Sequence, residues 1–131
     1  MSTNVYLVDD DTDGLKWLAD LGRRWNLRVV RFSSAERFLD TVRPGGRGVV
    51  LVEASLPGMN GLELHEELVK RGYRLPTIIT AKNGDVSMAV EALKAGAEDY
   101  LEKPVIPQVL LRRICSTLAR TRTPDRGVRK D

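Results

Sequence analysis

Charged residues that could perform chemistry stand at the ends of three predicted strands. Asp9 and Asp10 follow the first strand, Glu53 ends the third and Lys103 follows the fifth. In open parallel α/β sheets the functional crevice lies beyond the carboxyl ends of the strands. Carboxylates at that place supply hard oxygen ligands of the kind that bind Mg²⁺, and a lysine supplies a positive charge. These four residues are therefore the first candidates for a functional site.

Five short strands alternate with five helical patterns along the chain. The first and fourth helices are predicted to begin near Thr12 and Asp85, and the spacing of Ser33 and Glu36 predicts a capping box for the second. The last helix is predicted to run to about Arg120. This alternation indicates a parallel sheet covered by helices on both faces. The strands are predicted at 4–8, 28–32, 49–52, 75 to 80 or 81, and 98–102.

The composition suits one globular domain: 131 residues, 42% hydrophobic and 30% charged. The net charge of +3 belongs to residues 120–131, which hold five of the 21 basic and two of the 18 acidic residues and so leave 16 of each sign elsewhere. We therefore predict a domain over 1–120, a basic tail or the start of a linker over 121–131, and no direct nucleic-acid contact by the domain. No apolar run approaches the ~18 residues of a membrane span, and a single cysteine fits a reducing compartment, so we expect a cytoplasmic protein without membrane contact.

Two side chains with reactive chemistry are given structural interpretations. Cys115 lies at helical spacing with leucines and is predicted to be buried, whereas His65, the single histidine, is predicted to be a solvated surface residue. No Ser/His/Asp or Cys/His arrangement can be assembled from the sequence. We therefore predict that the chain is not an enzyme.

Four segments of the chain carry a family pattern: Phe32–Leu39, Leu56–Leu64, Gly84–Val90 and Lys94–Pro104. Together they resemble the receiver domain of bacterial response regulators, the CheY-like domain, and are most similar to its FixJ-type branch. The resemblance covers Val5 to about Leu118. It implies a role in two-component signalling and a flavodoxin-like (βα)5 fold, a three-layer α/β sandwich whose five-stranded parallel sheet has the order 2-1-3-4-5.

The resemblance also assigns roles to the residues at the strand ends. In that family an aspartate after the third strand accepts a phosphoryl group from a histidine kinase, and an acid pair holds Mg²⁺. A lysine neutralises the phosphoryl oxygens, while a Ser or Thr after the fourth strand hydrogen-bonds them and draws in an aromatic residue. By position, Asp9 and Asp10 match the metal acids, Lys103 the lysine and Tyr100 the aromatic residue.

Glu53 departs from this pattern because it stands where the family has the phosphorylated aspartate. Its extra methylene pushes the carboxylate toward Lys103 and into the space of the Mg²⁺ and the incoming phosphoryl group. Errors of about 1 Å in such a site can cost ~10²-fold in rate. We predict that Glu53 pairs with Lys103 and is not phosphorylated. Whether Asp9 and Asp10 still bind Mg²⁺ is left open, because Glu53 either adds a third ligand or uses its charge on Lys103.

The hydroxyl position after the fourth strand is the second departure. Counting along the chain from the matched motifs places Ala81 where the family has Ser or Thr, and Thr80 is one residue short. Neighbouring residues of a strand point to opposite faces unless a bulge intervenes, so both stay candidates and Ala81 is favoured. Ser55 and Lys82 are expected at the rim of the pocket, where the long side chain of Lys82 could cover it or pair with an acid.

These departures favour an atypical receiver, a pseudo-receiver that acts through protein contacts. The partners expected are a second copy of the chain, an output domain that controls transcription, or a histidine kinase. The alternative is a phosphorylatable receiver in which Glu53 is a phosphomimetic change and Thr80 is the switch residue. A flavodoxin-like cofactor binder is a remote alternative, because no Gly-rich turn follows the first strand. The predicted interface lies on the fourth helix, fifth strand and fifth helix, at Val90, Lys94, Asp99, Tyr100 and Leu111.

Overall fold

The computed structural model describes residues 3–11, 16–82 and 86–129, with side chains in the last range described as far as 120. Five strands and five helices alternate along these residues, and the strands form one parallel sheet in the order β2-β1-β3-β4-β5. The fold and the strand order predicted from the resemblance are confirmed. The elements are β1 (Thr3–Val8), α1 (Trp17–Arg24), β2 (Leu27–Phe32), α2 (Ala35–Thr41), β3 (Val49–Glu53), α3 (Gly61–Lys70), β4 (Thr77–Ala81), α4 (Val86–Lys94), β5 (Asp99–Glu102) and α5 (Pro107–Arg129).

The central strand β3 is buried along its whole length because helices cover both faces of the sheet. Val50 and Val52 pack in the cluster beneath α2, α3 and α4. Val49 and Leu51 pack in the cluster beneath α1 and α5. Successive side chains of a strand point to opposite faces, so Glu53 lies on the α1 and α5 side, at the end of this second row.

Two predictions about helix ends are wrong. Ser34 rather than Ser33 caps α2, and its hydroxyl oxygen accepts a hydrogen bond from the Arg37 amide at 3.1 Å. Glu36 therefore does not close a capping box; its carboxylate accepts the Met59 amide at 2.8 Å instead. The α5 backbone continues to Arg129, beyond the end predicted at about Arg120. The helix starts predicted near Thr12 and Asp85 lie outside the described residues.

The predicted environments of His65 and Cys115 are also wrong. His65 is only 5% exposed, because α3 packs beside α4 and the His65 Nε2 atom lies 2.9 Å from the Ala95 carbonyl oxygen at the α4 end. On α5, Leu110 and Ile114 face the sheet. This orientation turns Cys115 outward, so its thiol is exposed. In the described part of the chain no helix combines the length and hydropathy needed to cross a bilayer.

Candidate functional site

Three charged side chains from three strand ends meet at the carboxyl edge of the sheet. Val8 and Val52 are paired in register, so Asp9 and Glu53, which follow them, are neighbours on adjacent strands. The Lys103 amide donates to the Ala81 carbonyl at 2.8 Å, which holds the segment after β5 beside β4. Lys103 Nζ then lies 2.5 Å from Glu53 Oε1 and 2.7 Å from Asp9 Oδ2. The predicted Lys103–Glu53 ion pair is therefore present, and Asp9 shares it.

This cluster is almost closed to solvent. Glu53 is fully buried and the Lys103 side chain is 15% exposed. Burial by itself would lower the pKa of Lys103, but the hydrogen bonds and charges of Asp9 and Glu53 outweigh it and raise the pKa above the ordinary value. The ammonium is thus held in its charged form between two carboxylates.

The loop after β3 completes the surroundings of Glu53. The Ser55 hydroxyl donates to Glu53 Oε2 at 3.1 Å, so both carboxylate oxygens have a polar neighbour. Gly61 packs so closely on the strand end that a side chain there would come within 2.8 Å of the Glu53 carbonyl oxygen. Ser55 was predicted only at the rim of the pocket, and it contacts the acceptor position directly.

Thr80 and Ala81 face different sides of the sheet. Glu53 and Thr80 are paired in register, as are Thr80 and Leu101, so β4 carries no bulge and Thr80 points to the Glu53 side. Its buried hydroxyl has no hydrogen-bond partner among the described residues. Ala81 points to the opposite side, where it packs in the same cluster as Tyr100. The β4 residue that faces Glu53 is therefore Thr80, and Ala81 lies on the other side of the sheet with Tyr100.

The acids of the site are not arranged as a metal centre. Asp10 is exposed, while Asp9 and Glu53 are both engaged by the Lys103 ammonium. Over the described ranges, no three acidic, histidine or cysteine side chains are grouped so that they could share a metal ion. The arrangement of these residues does not fit a bound Mg²⁺. Lys82, predicted to cover the pocket or pair with an acid, is exposed and makes no ion pair within the described part of the chain.

The residues predicted to form an interface lie around the edge strand β5. Val90 is 37% exposed, Lys94 is exposed and Leu111 is half-buried, with Val90 and Lys94 on α4 and Leu111 on α5. Asp99 forms an ion pair with Arg113 of α5, and Tyr100 is half-buried. The structure brings all five residues to one side of the domain.

Two ion pairs that hold α5 against β5 were missed in the sequence. Arg113 pairs with Asp99, and Arg120 pairs with Glu98 at 2.9 Å. The two arginines are seven residues apart, which is two helical turns, and their partners are adjacent acids at the start of the edge strand. The matched spacing of two arginines and two acids could have indicated these ion pairs from the sequence.

Comparison with known proteins identifies the family. The response regulator receiver domain model matches residues 5–115. The chain is 38% identical over 120 residues to the transcriptional regulatory protein FixJ of Azorhizobium caulinodans, covering 92% of this chain and 57% of that protein. It is 40% identical over 114 residues to the response regulator protein TmoT of Ectopseudomonas mendocina, covering 87% and 52%. The solved structure of the response regulator StyR superposes with a TM-score of 0.85 at 33% identity, covering 99% of this chain and 67% of that one.

The chain therefore belongs to the response regulator receiver domain family, and the predicted FixJ-type resemblance is confirmed. Receiver domains are signalling domains of two-component systems rather than enzymes, and as a family they bind Mg²⁺ at the phosphorylation site. The chain spans about half the length of the curated relatives it matches.

Proposed function

We propose that this receiver domain is a pseudo-receiver, whose output is not switched by phosphorylation at the acceptor position. The observation that carries the proposal is the ion-paired cluster of Glu53, Lys103 and Asp9. The lysine that would neutralise an incoming phosphoryl group already neutralises Glu53. Lys103 holds Glu53 Oε1 and the Ser55 hydroxyl holds Oε2, so either oxygen would have to leave its partner before in-line transfer could begin.

The charge at the site supports the same proposal. Glu53 contributes one negative charge where a phosphoaspartate would carry up to about two, and Lys103 compensates it. The domain thus carries a permanent negative charge at Glu53, where other receivers carry the charge of a phosphoaspartate only while they are phosphorylated. We infer that the balance between the two conformations of the domain is set by packing and by bound partners. A partner shifts this balance only if it binds one conformation more tightly than the other.

The split between Thr80 and Ala81 adds a second reason. In the family one hydroxyl both contacts the phosphoryl group and draws in the aromatic residue of the fifth strand. Here Thr80 is on the Glu53 side of the sheet, while Ala81 is on the opposite side, in the cluster that includes Tyr100. A methyl group offers Tyr100 no hydrogen bond, so we propose that the path from the site to the edge of the sheet is interrupted.

The output would run through protein contacts at α4, β5 and α5. Val90, Lys94, Asp99, Tyr100 and Leu111 supply apolar and charged groups on one surface, as a second copy of the chain or an output domain would require. Because the curated relatives are longer and FixJ is named a transcriptional regulatory protein, we propose that residues 1–120 control a transcription output joined through 121–131 in the cytoplasm.

The test is to restore the usual acceptor. The natural chain and Glu53→Asp are incubated with acetyl phosphate and Mg²⁺, and intact mass is measured beside a receiver that has an aspartate acceptor. We expect neither protein to gain acid-stable, base-labile phosphate, because the residues around the acceptor are arranged around an internal ion pair. Incorporation by the natural chain at Glu53 would refute the proposal.

A second candidate function keeps the switch, with Glu53 as a phosphomimetic change. It is favoured by the Thr80 hydroxyl, which is buried on the Glu53 side without a hydrogen-bond partner among the described residues. In that case Glu53→Asp gains phosphate in the same experiment. Glu53→Asp combined with Thr80→Ala would then gain or retain much less, because the hydroxyl that stabilises the phosphoryl group is gone.

A further inference from the structure

The end of the sheet opposite the Glu53 site carries exposed arginines around an exposed tryptophan. Parallel strands joined by helices place the carboxyl ends of the helices beside the amino ends of the strands. Arg24, Arg28, Arg43 and Arg47 are exposed at this end, and Trp25 is 56% exposed. We call these five residues the arginine end.

Backbone contacts fix the arginine end as one surface. Arg28 pairs in register with Asn4, whose carbonyl oxygen in turn packs against Gly48, the residue after Arg47. The Thr3 amide donates to the Asn26 carbonyl at 3.1 Å, which holds the turn after Trp25 against β1. Arg28 and Arg47 are thus separated by two strand spacings, or about 10 Å. Arg28 and Arg47 would therefore contact different phosphates of one strand, and with Arg24 and Arg43 beside them the surface offers about three phosphate contacts.

The arginine end has few acids to neutralise it. Asp20 pairs with Arg23, one turn away, and Asp40 is exposed in the last turn of α2. A cation in the last turn of a helix is ordinarily explained by the helix dipole, and that explanation suits Arg24. It does not apply to Arg28, which lies within a strand, or to Arg47, which lies in the loop before β3.

We propose that the arginine end binds single-stranded nucleic acid. Every basic residue between 17 and 47 is an arginine, the side chain whose planar fork matches phosphate oxygens in pairs. An exposed indole beside such a row is a platform on which a base can stack. An acidic protein segment would satisfy the arginines but would leave Trp25 without a stacking partner. This choice of ligand rests on both features together.

The proposal runs against the sequence-based prediction that this domain makes no nucleic-acid contact. That prediction rested on equal numbers of acids and bases outside the C-terminal segment. Such a count does not show where the charges lie. The fold brings four exposed arginines together at the end opposite Glu53, so the balanced total conceals a basic surface.

The experiment uses the full chain with the substitution Trp17→Phe, which leaves Trp25 as the single tryptophan. Oligothymidylate of about 16 nucleotides, within the usual range of site sizes, is titrated while tryptophan emission and the anisotropy of a label on the oligonucleotide are followed. We expect quenching of Trp25 and a log–log salt slope of about −2, from about three phosphates at about −0.7 each. Absence of quenching or of salt dependence would overturn the proposal.

Matched variants locate the binding. Arg28→Gln with Arg47→Gln should weaken binding about tenfold and bring the slope to about −0.7, because two of three phosphate contacts are lost. Lys82→Gln with Arg112→Gln removes the same charge from exposed positions elsewhere and should change affinity less than twofold. Equal losses in both pairs would overturn the proposal, as would tighter binding of polyglutamate than of oligothymidylate, which would indicate an acidic protein partner. Thermal melts verify that each variant is folded.

Discussion

The charged side chains at the two ends of the sheet differ: those at one end are buried and paired, and those at the other end are exposed. At the carboxyl end, Glu53, Asp9 and Lys103 form an ion-paired cluster that is almost closed to solvent. At the amino end, arginines such as Arg28 and Arg47 are exposed beside few acids. Removing one member of a buried pair leaves an uncompensated charge and destabilises the fold, whereas exposed charges contribute little to folding and are available to a partner. Substitutions at the two ends should therefore separate into stability effects and binding effects.

The largest effect is expected from Lys103→Met. Removing the ammonium leaves the buried carboxylates of Glu53 and Asp9 close together without a counter-charge, which should lower the free energy of unfolding by about 3 kcal/mol. Urea denaturation measures the change. Lys82→Met, at the exposed neighbouring lysine, should stay within about 0.5 kcal/mol. If the two variants lose the same stability, the site end does not depend on its internal ion pair.

Alkaline pH should reveal the same ion pair in the natural chain. The pKa of Lys103 is raised above its ordinary value of 10.5 in the folded state, so its contribution is complete below pH 10.5 and is lost as pH rises through the folded pKa. The natural chain should therefore lose stability above pH 10.5 more steeply than Lys103→Met. The comparison needs urea midpoints for both proteins across this range. Parallel pH profiles would show that Lys103 is not coupled to folding.

A smaller loss is expected from Ser55→Ala. The substitution removes one hydrogen bond to the buried Glu53 Oε2, which should cost about 1 kcal/mol of unfolding free energy. Ser116→Ala, at an exposed position of α5, is the matched control and should be nearly neutral. A neutral Ser55→Ala would mean that the hydroxyl does not hold Glu53 in place.

The smallest stability change is expected at the other end of the sheet. Arg28→Gln should alter the unfolding free energy by no more than about 0.5 kcal/mol, because its side chain is exposed. The same urea titration detects this. A loss as large as that of Lys103→Met would contradict the division between paired and exposed charges.

The sequence was sufficient for the fold and for placing Asp9, Glu53 and Lys103 at one edge of the sheet, because both follow from strand periodicity and from motifs at strand ends. The Glu53–Lys103 pair was predictable from the length of the side chain, because glutamate reaches one methylene further than aspartate. The third member of the cluster was harder, since Asp9 was expected to serve a metal and instead shares Lys103.

Failures of prediction came from contacts between distant segments. The environment of His65 depends on where α4 ends, and the role of Glu36 depends on the loop at Met59, 23 residues away. To predict which face of the sheet carries the Thr80 side chain, one needs the register between β3 and β4. A count of residues along the chain does not supply that register. The net charge does not reveal the arginine end, because acids elsewhere in the domain balance the positive charge of its arginines.

The central claim is that the Glu53 site no longer controls the β5 edge through a phosphoryl group. The most direct measurement is the amide NMR spectrum of the natural chain before and after addition of acetyl phosphate with Mg²⁺, with either reagent alone as control. We predict that the Tyr100 and Val90 signals stay where they are and that Glu53 carries no phosphate. Movement of both signals together with phosphate on Glu53 would contradict the account.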